Sequence, residues 1–410
     1  MTSDGAGFSA LFEGPALDIL YLAMCWALTL TTSTLLTTIG PLSAKHVGAS
    51  NTAAPFTIGA FLFGAAFSSV PSGPLFRKYG RMKGFSVGCL CQVIGGIIGG
   101  GGMVFESIIL VFLGCFFAGL GQGLGQFYRF SAVEIAPPSF KSRAITYVLS
   151  GGVLAAFLGP TTANYTINLI AERDYLGSYI MMGAIGVLNQ LFCMLVRFPD
   201  AEAGYEKLMK SDDAENEERS GGGASLIPPA NRPLMEIISQ PLFVVSCAVA
   251  TLAHTIMVMV MSNCSLAMVD AYGYNFNDSA RVMEVHFFCM FGPGFFTGKL
   301  IERYGSFLVA VLGAIVFACS SFVFVSSTEL WTFYVGMSLL GIAWNFSFSA
   351  GTVMLTGSYK KSEAADVQAV NDFILFTVAG VGSLLSGIVY SNYNWKVLIY
   401  VVSGMMIFNV

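Results

Sequence analysis

The stretch that decides the fold is VPSGPLFRKYG at residues 70–80, because the chain contains it twice. The second copy, FFTGKLIERYG, occupies residues 295–305, which is 225 residues further along the chain. Each copy closes an apolar run and leads into a turn that contains basic side chains. A repeat at this offset predicts two halves of similar structure and the same topology.

The composition around these repeats is that of a protein immersed in lipid. Hydrophobic residues make up 55% of the 410 positions, charged residues make up 11%, and the mean hydropathy is +0.70. Soluble domains carry about 25% charged residues, so this chain could not coat a globule with polar surface. The net charge of −4 and the three histidines exclude a nucleic-acid binder and provide no cofactor or metal framework, so we expect neither.

Twelve apolar windows are long enough to cross a bilayer, and we number them as spans 1 to 12. Residues 198–240 separate the sixth from the seventh and are acidic and rich in Gly and Pro, which predicts a flexible linker. The predicted organisation is a tail at 1–16, a six-helix bundle at 17–197, the linker, and a second six-helix bundle at 241–410. The windows are 17–40, 52–76, 85–104, 107–129, 143–168, 175–197, 241–269, 281–301, 306–327, 330–357, 366–391 and 394–410.

The basic residues predict how the spans are oriented. With loops assigned alternately to the two sides, sixteen of the twenty Lys and Arg fall on one side. The other side keeps Lys45, Arg173, Arg281 and Lys396. Because cytosolic loops are enriched in Lys and Arg, we expect the N-terminus, the linker and the C-terminus to be cytosolic.

The repeated loop resembles the G-x-x-x-D-R-x-G-R-R signature of the major facilitator superfamily. In the first half Arg77 stands where the family usually has an acid, whereas the second half keeps one at Glu302. The resemblance implies an all-α integral membrane fold, with twelve transmembrane helices in two pseudo-symmetric six-helix bundles. It also implies that these loops form a cytosolic latch, with matching or equivalent residues Gly73, Arg77, Lys78, Gly80, Arg81, Gly298, Glu302, Arg303 and Gly305.

Two further matches narrow the resemblance. Span 4 contains QGLG at 122–125, similar to the family motif R-x-x-Q-G-x-G, but Gly119 replaces the arginine. Residues 284–286, 290–298 and 344–346 resemble a largely bacterial branch of the superfamily. That branch implies a fold rather than a cargo, although riboflavin-type nutrients are one substrate class compatible with it.

In this family spans 1, 4, 7 and 10 line a central cavity, which makes polar side chains near their midpoints candidate substrate ligands. A polar group at the membrane midplane is costly unless it is paired or hydrated. Threonine and serine have an alternative, since their hydroxyls can bond the carbonyl one turn back. The candidate residues are Trp26, Thr29, Thr32, Ser33, Gln122, Gln126, His254, Asn263, Trp344 and Asn345.

Five titratable or amide residues are candidates for coupling or gating. His254 is either a proton carrier or a neutral, hydrogen-bonded interior group. Glu284 and His286 lie near the outer end of span 8, where pairing of Glu284 with Arg281 is the favoured interpretation. Asp372, beside Asn371 in span 11, is either a gate contact to the other half or a coupling site.

These observations predict a secondary transporter that moves a small organic solute by rocking two bundles about a central site. A site of Thr, Gln, Asn, Trp and His favours a neutral or zwitterionic solute. We expect the protein to work as a monomer, either as a proton symporter or as a uniporter. No catalytic motif is present, so an enzyme is excluded. A non-transporting sensor or escort protein is the alternative, because Arg77 and Gly119 depart from the family pattern.

Overall fold

The computed structural model describes residues 15–136, 141–198, 232–360 and 363–406. Within these ranges the chain forms helices joined by short turns, and they contain no β-strand. Residues 1–14 of the predicted tail and most of the linker at 198–240 lie outside the described residues, while residues 15 and 16 begin the first helix. The end of the predicted linker is helical at Leu234–Ile238, where apolar side chains follow a proline and Ile237 is buried.

Nine described helices are long and apolar enough to cross a membrane, and they correspond to nine of the twelve expected spans. Span 1 is the longest of these nine helices, and it continues beyond its apolar window to the turn at residue 47. Their bounds are Pro15–His46, Phe56–Phe76, Lys78–Val104, Ile108–Ala132, Leu176–Leu195, Pro241–Ala271, Ser306–Ser326, Leu330–Thr356 and Asp366–Asn392.

The three remaining spans are less regular. Span 5 is the helix Lys141–Thr166 and span 12 is the shorter helix Trp395–Met406. Span 8 consists of two helices, Phe276–Phe291 and Gly294–Tyr304, separated by Gly292 and Pro293. Proline lacks the N–H that would continue the hydrogen-bond ladder, so the break occurs where the sequence places it.

The two copies of the repeated loop have the same backbone geometry. Gly80 has φ 81° and ψ 166°, and its equivalent Gly305 has φ 83° and ψ 154°. Residues other than glycine rarely adopt this region, which explains the glycine in each copy. The cations before them are also equivalent, since Lys78 lies 5.1 Å from the ring centroid of Tyr79 and the Arg303 side chain lies 5.3 Å from that of Tyr304.

We call the face that carries residues 78–83 and 303–305 the inner face, and the face that carries residues 47–55 and 272–275 the outer face. In the outer half of the molecule, buried apolar residues from both bundles form one continuous cluster. In the inner half they form separate clusters, one in the first bundle and two in the second. The bundles therefore pack together toward the outer face and pack separately toward the inner face.

Spans 2 and 11 make the largest contact between the bundles, at what we call the outer seam (residues 45–63, 270 and 380–387), and spans 5 and 8 make the next largest. The Ser383 hydroxyl donates to the Pro55 carbonyl at 2.7 Å. Lys45 at the end of span 1 pairs with Asp270 at the end of span 7. These two residues are 225 positions apart, so they are equivalents in the repeat. The seam thus closes the space between the bundles from the outer side.

Candidate functional site

Four side chains from three spans of the second bundle form what we call the aromatic box. His254 of span 7 lies with its ring centroid 6.0 Å from Trp344, 6.1 Å from Phe348 and 5.9 Å from Phe376. Trp344 and Phe348 stack at 4.6 Å with an interplanar angle of 13°. Residues four apart on a helix share one face, which is why span 10 presents this pair together. The box lies near the middle of its three spans.

The hydrogen bond inside the box fixes the state of His254. The indole Nε1–H of Trp344 donates to His254 Nδ1 at 3.2 Å. An indole nitrogen is a donor only, so Nδ1 must be unprotonated and a neutral imidazole carries its proton on Nε2. His254 Nε2 is buried and has no hydrogen-bond partner in the structure. The box therefore holds one unused donor.

Two candidate residues of the first bundle have buried polar atoms without partners, as do several other residues of that bundle. Trp26 Nε1 of span 1 and Gln122 Oε1 of span 4 are both buried and unpartnered. Both residues lie toward the middle of their spans. Ser33 and Gln126, on the same two spans, are half-buried. Candidate residues on spans 1 and 4 thus retain hydrogen-bonding capacity that the protein itself does not use.

Phe291, the last residue before the break in span 8, connects the box to the first bundle. Its ring meets Trp344 edge-on at 6.2 Å. It also lies beside Gly152 of span 5, where a Cβ would come within 2.9 Å of the ring. This role could not be predicted from the sequence, because an aromatic residue in an apolar span normally indicates packing.

Two predicted threonine ligands are engaged elsewhere. Thr29 accepts a hydrogen bond from Asn189 Nδ2 at 2.9 Å, inside the first bundle. The Thr32 hydroxyl is fully buried and lies 3.5 Å from the carbonyl of Leu28 one turn back. Both hydroxyls therefore already have partners, but only Thr32 bonds the carbonyl one turn back, since the partner of Thr29 is the Asn189 side chain.

Asn345 supports the break in span 8. Its Nδ2 donates to the Met290 carbonyl at 2.8 Å, and its Oδ1 accepts from the Thr297 hydroxyl at 2.6 Å. A helix break frees carbonyls that need partners, and Asn345 supplies one. Neighbouring helical residues point about 100° apart, so Trp344 reaches the box while Asn345 faces span 8.

Asn263 lies on the outer side of the box, between spans 7 and 11. Its Nδ2 donates to the Ser386 hydroxyl at 2.8 Å and to the Met259 carbonyl at 3.0 Å. It is fully buried. The structure thus places this candidate in a seam between two helices of the second bundle, close to the outer seam.

Glu284 and His286, the two candidates near the outer end of span 8, have different surroundings. His286 is fully buried and its Nδ1 lies 2.8 Å from the Met337 carbonyl, which ties span 8 to span 10. Glu284 is half-buried. Among the described residues no ion pair joins Glu284 to Arg281, although Arg281 acts electrostatically on that carboxylate. The favoured pairing is therefore a longer-range attraction.

Asp372 lies between the box and the inner face. It is half-buried and accepts a hydrogen bond from Asn371 Nδ2 at 3.2 Å. Arg129 of the first bundle acts on it electrostatically, and Tyr359 and Cys247 are its other titratable neighbours. Asn371 Oδ1 is buried and unpartnered. A cation of the opposite bundle therefore lies within electrostatic range of this acid.

The loops predicted to form a latch hold contacts within their own bundle. Arg81 pairs with Glu134, with Nε to Oε2 at 3.1 Å, and lies 4.8 Å from the Phe76 ring centroid. Glu302 and Gly298 are exposed, and Gly73 is buried. The side chain of Arg77 lies outside the described residues.

Gly119, which departs from the family motif, has a packing explanation. A Cβ there would lie 1.9 Å from the Phe61 carbonyl oxygen of span 2. Spans 2 and 4 therefore approach too closely for any side chain at this position. The missing arginine reflects this close helix contact.

An apolar groove of about 520 Å³ lies outside the bundle interior, between spans 9 and 12. Its lining includes Val311, Ile315, Phe322 and Tyr400. Phe322 and Tyr400 are among the most exposed aromatic residues, on a surface that faces lipid. The groove is separate from the box and does not belong to the site.

Comparisons with known proteins agree with this geometry. The sequence model of the Major Facilitator Superfamily matches residues 21–380, with a further match over 285–410. The Riboflavin transporter RfnT of Brucella anthropi is 28% identical, covering 94% of this chain and 92% of that protein. The Uncharacterized MFS-type transporter YddS of Bacillus subtilis is 24% identical, covering 88% of this chain and 82% of that protein.

Solved structures share the fold at low sequence identity. The xylose transporter XylE from E. coli, in a partially occluded inward open conformation, has a TM-score of 0.70 at 14% identity and covers 96% of this chain and 95% of its own. The nucleoside transporter NupG has a TM-score of 0.66 at 13% identity, with coverages of 96% and 97%. The chain belongs to the Major Facilitator Superfamily, as a multi-pass membrane protein and a secondary transporter of a small solute.

Proposed function

We propose that the solute is a small neutral or zwitterionic organic molecule that binds between the two bundles, against the aromatic box. The observation that carries this proposal is the unpartnered His254 Nε2 in a box that contains no fixed charge. Trp26 and Gln122 supply unpartnered polar atoms from the opposite bundle. Buried polar groups are normally satisfied, so groups left open at midplane mark a place where a solute completes the bonding.

Riboflavin is the first solute to test. One relative, which matches this chain over 92% of its own length, is named as a riboflavin transporter. Riboflavin is uncharged near neutral pH and combines a flat ring with a hydroxylated chain, which suits aromatic walls beside polar groups. We assign the same transport activity to this chain as a proposal.

The outer seam gives the transport cycle its direction of opening. The bundles pack together toward the outer face, so the site communicates with the inner face. Rocking of the bundles then separates the outer seam and closes the inner side. In our proposal the inner face and both termini are cytosolic, and the working unit is a monomer.

We further propose that a proton accompanies the solute and binds Asp372. The bond from Trp344 requires an unprotonated His254 Nδ1, and this favours the neutral histidine over the proton carrier. Asp372 lies within electrostatic range of Arg129 of the other bundle, so its charge state changes the attraction between the bundles toward the inner face. Coupling needs such a group, whose protonation differs between the two conformations.

Uptake into proteoliposomes tests both proposals. We expect riboflavin to accumulate inside the proteoliposomes when a pH gradient that drives protons inward is imposed. Asp372→Asn should abolish this accumulation and preserve exchange of labelled for unlabelled riboflavin, whereas His254→Gln should reduce both through weaker binding. Absence of riboflavin exchange in the unaltered protein contradicts the solute assignment, and gradient-driven accumulation by Asp372→Asn contradicts the proton site.

A further inference from the structure

We infer that the aromatic box recognises one part of the solute: a flat, uncharged heteroaromatic ring that carries a carbonyl oxygen. The oxygen accepts a hydrogen bond from His254 Nε2–H, and the ring stacks on the open face of Phe348. This inference rests on the proposed binding site between the bundles. It adds the chemical class of the solute and the two residues that select it.

The His254 ring has one nitrogen with a hydrogen-bond partner and one without. Nδ1 is committed to the Trp344 indole, and Nε2 lies on the far side of the same ring. The tautomer that this bond imposes makes Nε2 a donor, so its ligand must be an acceptor. A second donor there would leave two hydrogens facing each other. Carbonyl oxygens and ring nitrogens satisfy this requirement.

The two aromatic rings of span 10 in the box are buried to different extents. Trp344 is 8% exposed, with Phe348 against one face and Phe291 against its edge. Phe348 is only half-buried, although one of its faces is covered by Trp344. A solute ring on its other face would extend the stack to three members. Offset stacking of this kind favours flat aromatic partners over sugars or alkyl chains.

The lack of a fixed charge in the box favours an uncharged solute ring. None of the four residues of the box carries a fixed charge, and the nearest acid on span 11, Asp372, lies one turn from Phe376 toward the inner face. Arg129 offsets its charge from the opposite bundle. An isolated charge on the ring would therefore lose its hydration without gaining a counter-ion. A neutral ring avoids this cost.

Binding measurements on protein in nanodiscs test the inference with a fixed set of probes. Riboflavin, uridine and inosine carry carbonyl-bearing rings, whereas xylose and ribitol have hydroxyls and no aromatic ring. We expect at least one ringed probe to bind about tenfold or more tightly than both ring-free probes. His254→Phe keeps a flat side chain but removes the donor, and should weaken that probe about tenfold. His254→Gln restores an N–H and should recover part of the loss.

Phe348→Leu tests the stack and should also weaken the ringed probe about tenfold, because it removes the aromatic face while keeping an apolar side chain. Phe346→Leu is its matched control, since Phe346 packs against the cluster around Ile301 and Val309. His46→Gln, exposed at the outer end of span 1, is the control for His254. Both controls should stay within about twofold of the unaltered protein.

A folding defect is distinguished by a second variant. His254→Phe leaves the Trp344 indole without an acceptor, so the double variant Trp344→Phe with His254→Phe removes both partners of the bond. Thermal unfolding of each variant is measured beside its binding. We expect the double variant to be as stable as the unaltered protein or nearly so, and to bind ringed probes as weakly as His254→Phe.

The outcomes separate the inference from the proposed function. Binding and uptake of xylose or ribitol without binding of any ringed probe overturns the inference and leaves a solute site between the bundles. Ring binding that is unchanged in both His254→Phe and Phe348→Leu also overturns it. If no probe is bound or taken up by the unaltered protein, the inference and the proposed function both fail.

Discussion

The outer seam and the inner face hold the two bundles in different ways. At the outer seam the bundles touch each other, through the Ser383 bond to Pro55 and the pair of Lys45 with Asp270. At the inner face the ion pairs Arg81–Glu134, Arg197–Asp18 and Arg232–Glu363 each stay within one bundle. One face therefore carries contacts that must break during transport, and the other carries contacts that keep each bundle intact.

This difference accounts for how the molecule can rock as two units. Each bundle is braced internally at the inner face, so it can rotate without losing its own helix packing. The outer seam is held by buried apolar packing, by the hydrogen bond from Ser383 and by an ion pair that is partly exposed and therefore weak. The predictions below change one region while leaving the other as it is.

The largest effect is expected at Gly387 of span 11, which packs against the turn before span 2 at the outer seam. A Cβ at this position would lie 2.4 Å from the Thr52 carbonyl oxygen of the other bundle. Gly387→Val should therefore prevent closure of the outer seam and hold the protein open toward the outer face. We expect the initial rate of proteoliposome uptake to fall at least about tenfold, which corresponds to about 1.4 kcal/mol or more.

Gly404→Val is the matched control, because nothing lies within 4 Å of a Cβ at that glycine. It should keep normal uptake. Correct folding of Gly387→Val is checked by thermal unfolding, and its open state by faster labelling of a cysteine placed at Ser50. Normal uptake by Gly387→Val would show that the seam does not need to close.

A smaller effect, on stability alone, is expected at the inner face. Glu363 accepts hydrogen bonds from the Arg232 guanidinium at 2.6 and 3.1 Å, and this holds the pKa of Glu363 at about 2, below its usual 4.5. Glu363→Gln should lower the free energy of unfolding by about 2 kcal/mol, the scale of charge-assisted hydrogen bonds. Uptake measured below the unfolding temperature should not change.

The same contact predicts a pH dependence. Because the pKa of Glu363 is lower in the folded protein than in the unfolded one, its stabilisation is complete above about pH 4.5 and is lost as the pH falls toward 2. The gap in stability between the unaltered protein and Glu363→Gln should therefore shrink over this range. Glu302→Gln, exposed at the same face, is the control and should show no such gap.

The smallest effect is expected from the ion pair at the outer seam. The side chains of Lys45 and Asp270 are 34% and 27% exposed, so solvent and salt screen their attraction. Lys45→Ala or Asp270→Ala should weaken the closed seam by about 0.5 kcal/mol, which shifts the conformational ratio about twofold. The exchange Lys45→Asp with Asp270→Lys should restore the ratio.

Labelling at Ser50 measures that ratio at low salt, where the effect is largest. Lys396→Ala removes an exposed cation elsewhere on the outer face and serves as the control. A restored ratio in the double exchange supports a direct pair. If both single variants and the double exchange are labelled at the same rate as the unaltered protein, the pair does not contribute to closure.

Most of the fold could be predicted from the sequence because its signals are periodic or repeated. The apolar windows predicted twelve spans, and the repeat predicted two halves, which the equal geometry of Gly80 and Gly305 supports. Lys45 and Asp270 are equivalent positions of opposite charge, and the structure brings them together.

The candidate site was less predictable, because residue type does not tell which way a side chain faces in a helix that is apolar on all sides. His254 and Trp344 were both candidates, and the structure joins them. Asn345, next to Trp344 in sequence, faces span 8 instead. Phe348 and Phe376 were missed, since an aromatic residue in a membrane span has the same sequence appearance whether it packs or binds.

The central claim is that the two faces open in alternation about the aromatic box, and paired distance measurements test it most directly. Nitroxide labels at Tyr79 and Tyr304 report the inner face, where these equivalent residues are equally exposed, and labels at Ser50 and Tyr393 report the outer face. When riboflavin and a pH gradient across the membrane are both present, we predict that the distance between the labels at 79 and 304 shortens. In the same population of molecules, the distance between the labels at 50 and 393 should lengthen. Distances that shorten together, or that do not respond at all, would contradict the account.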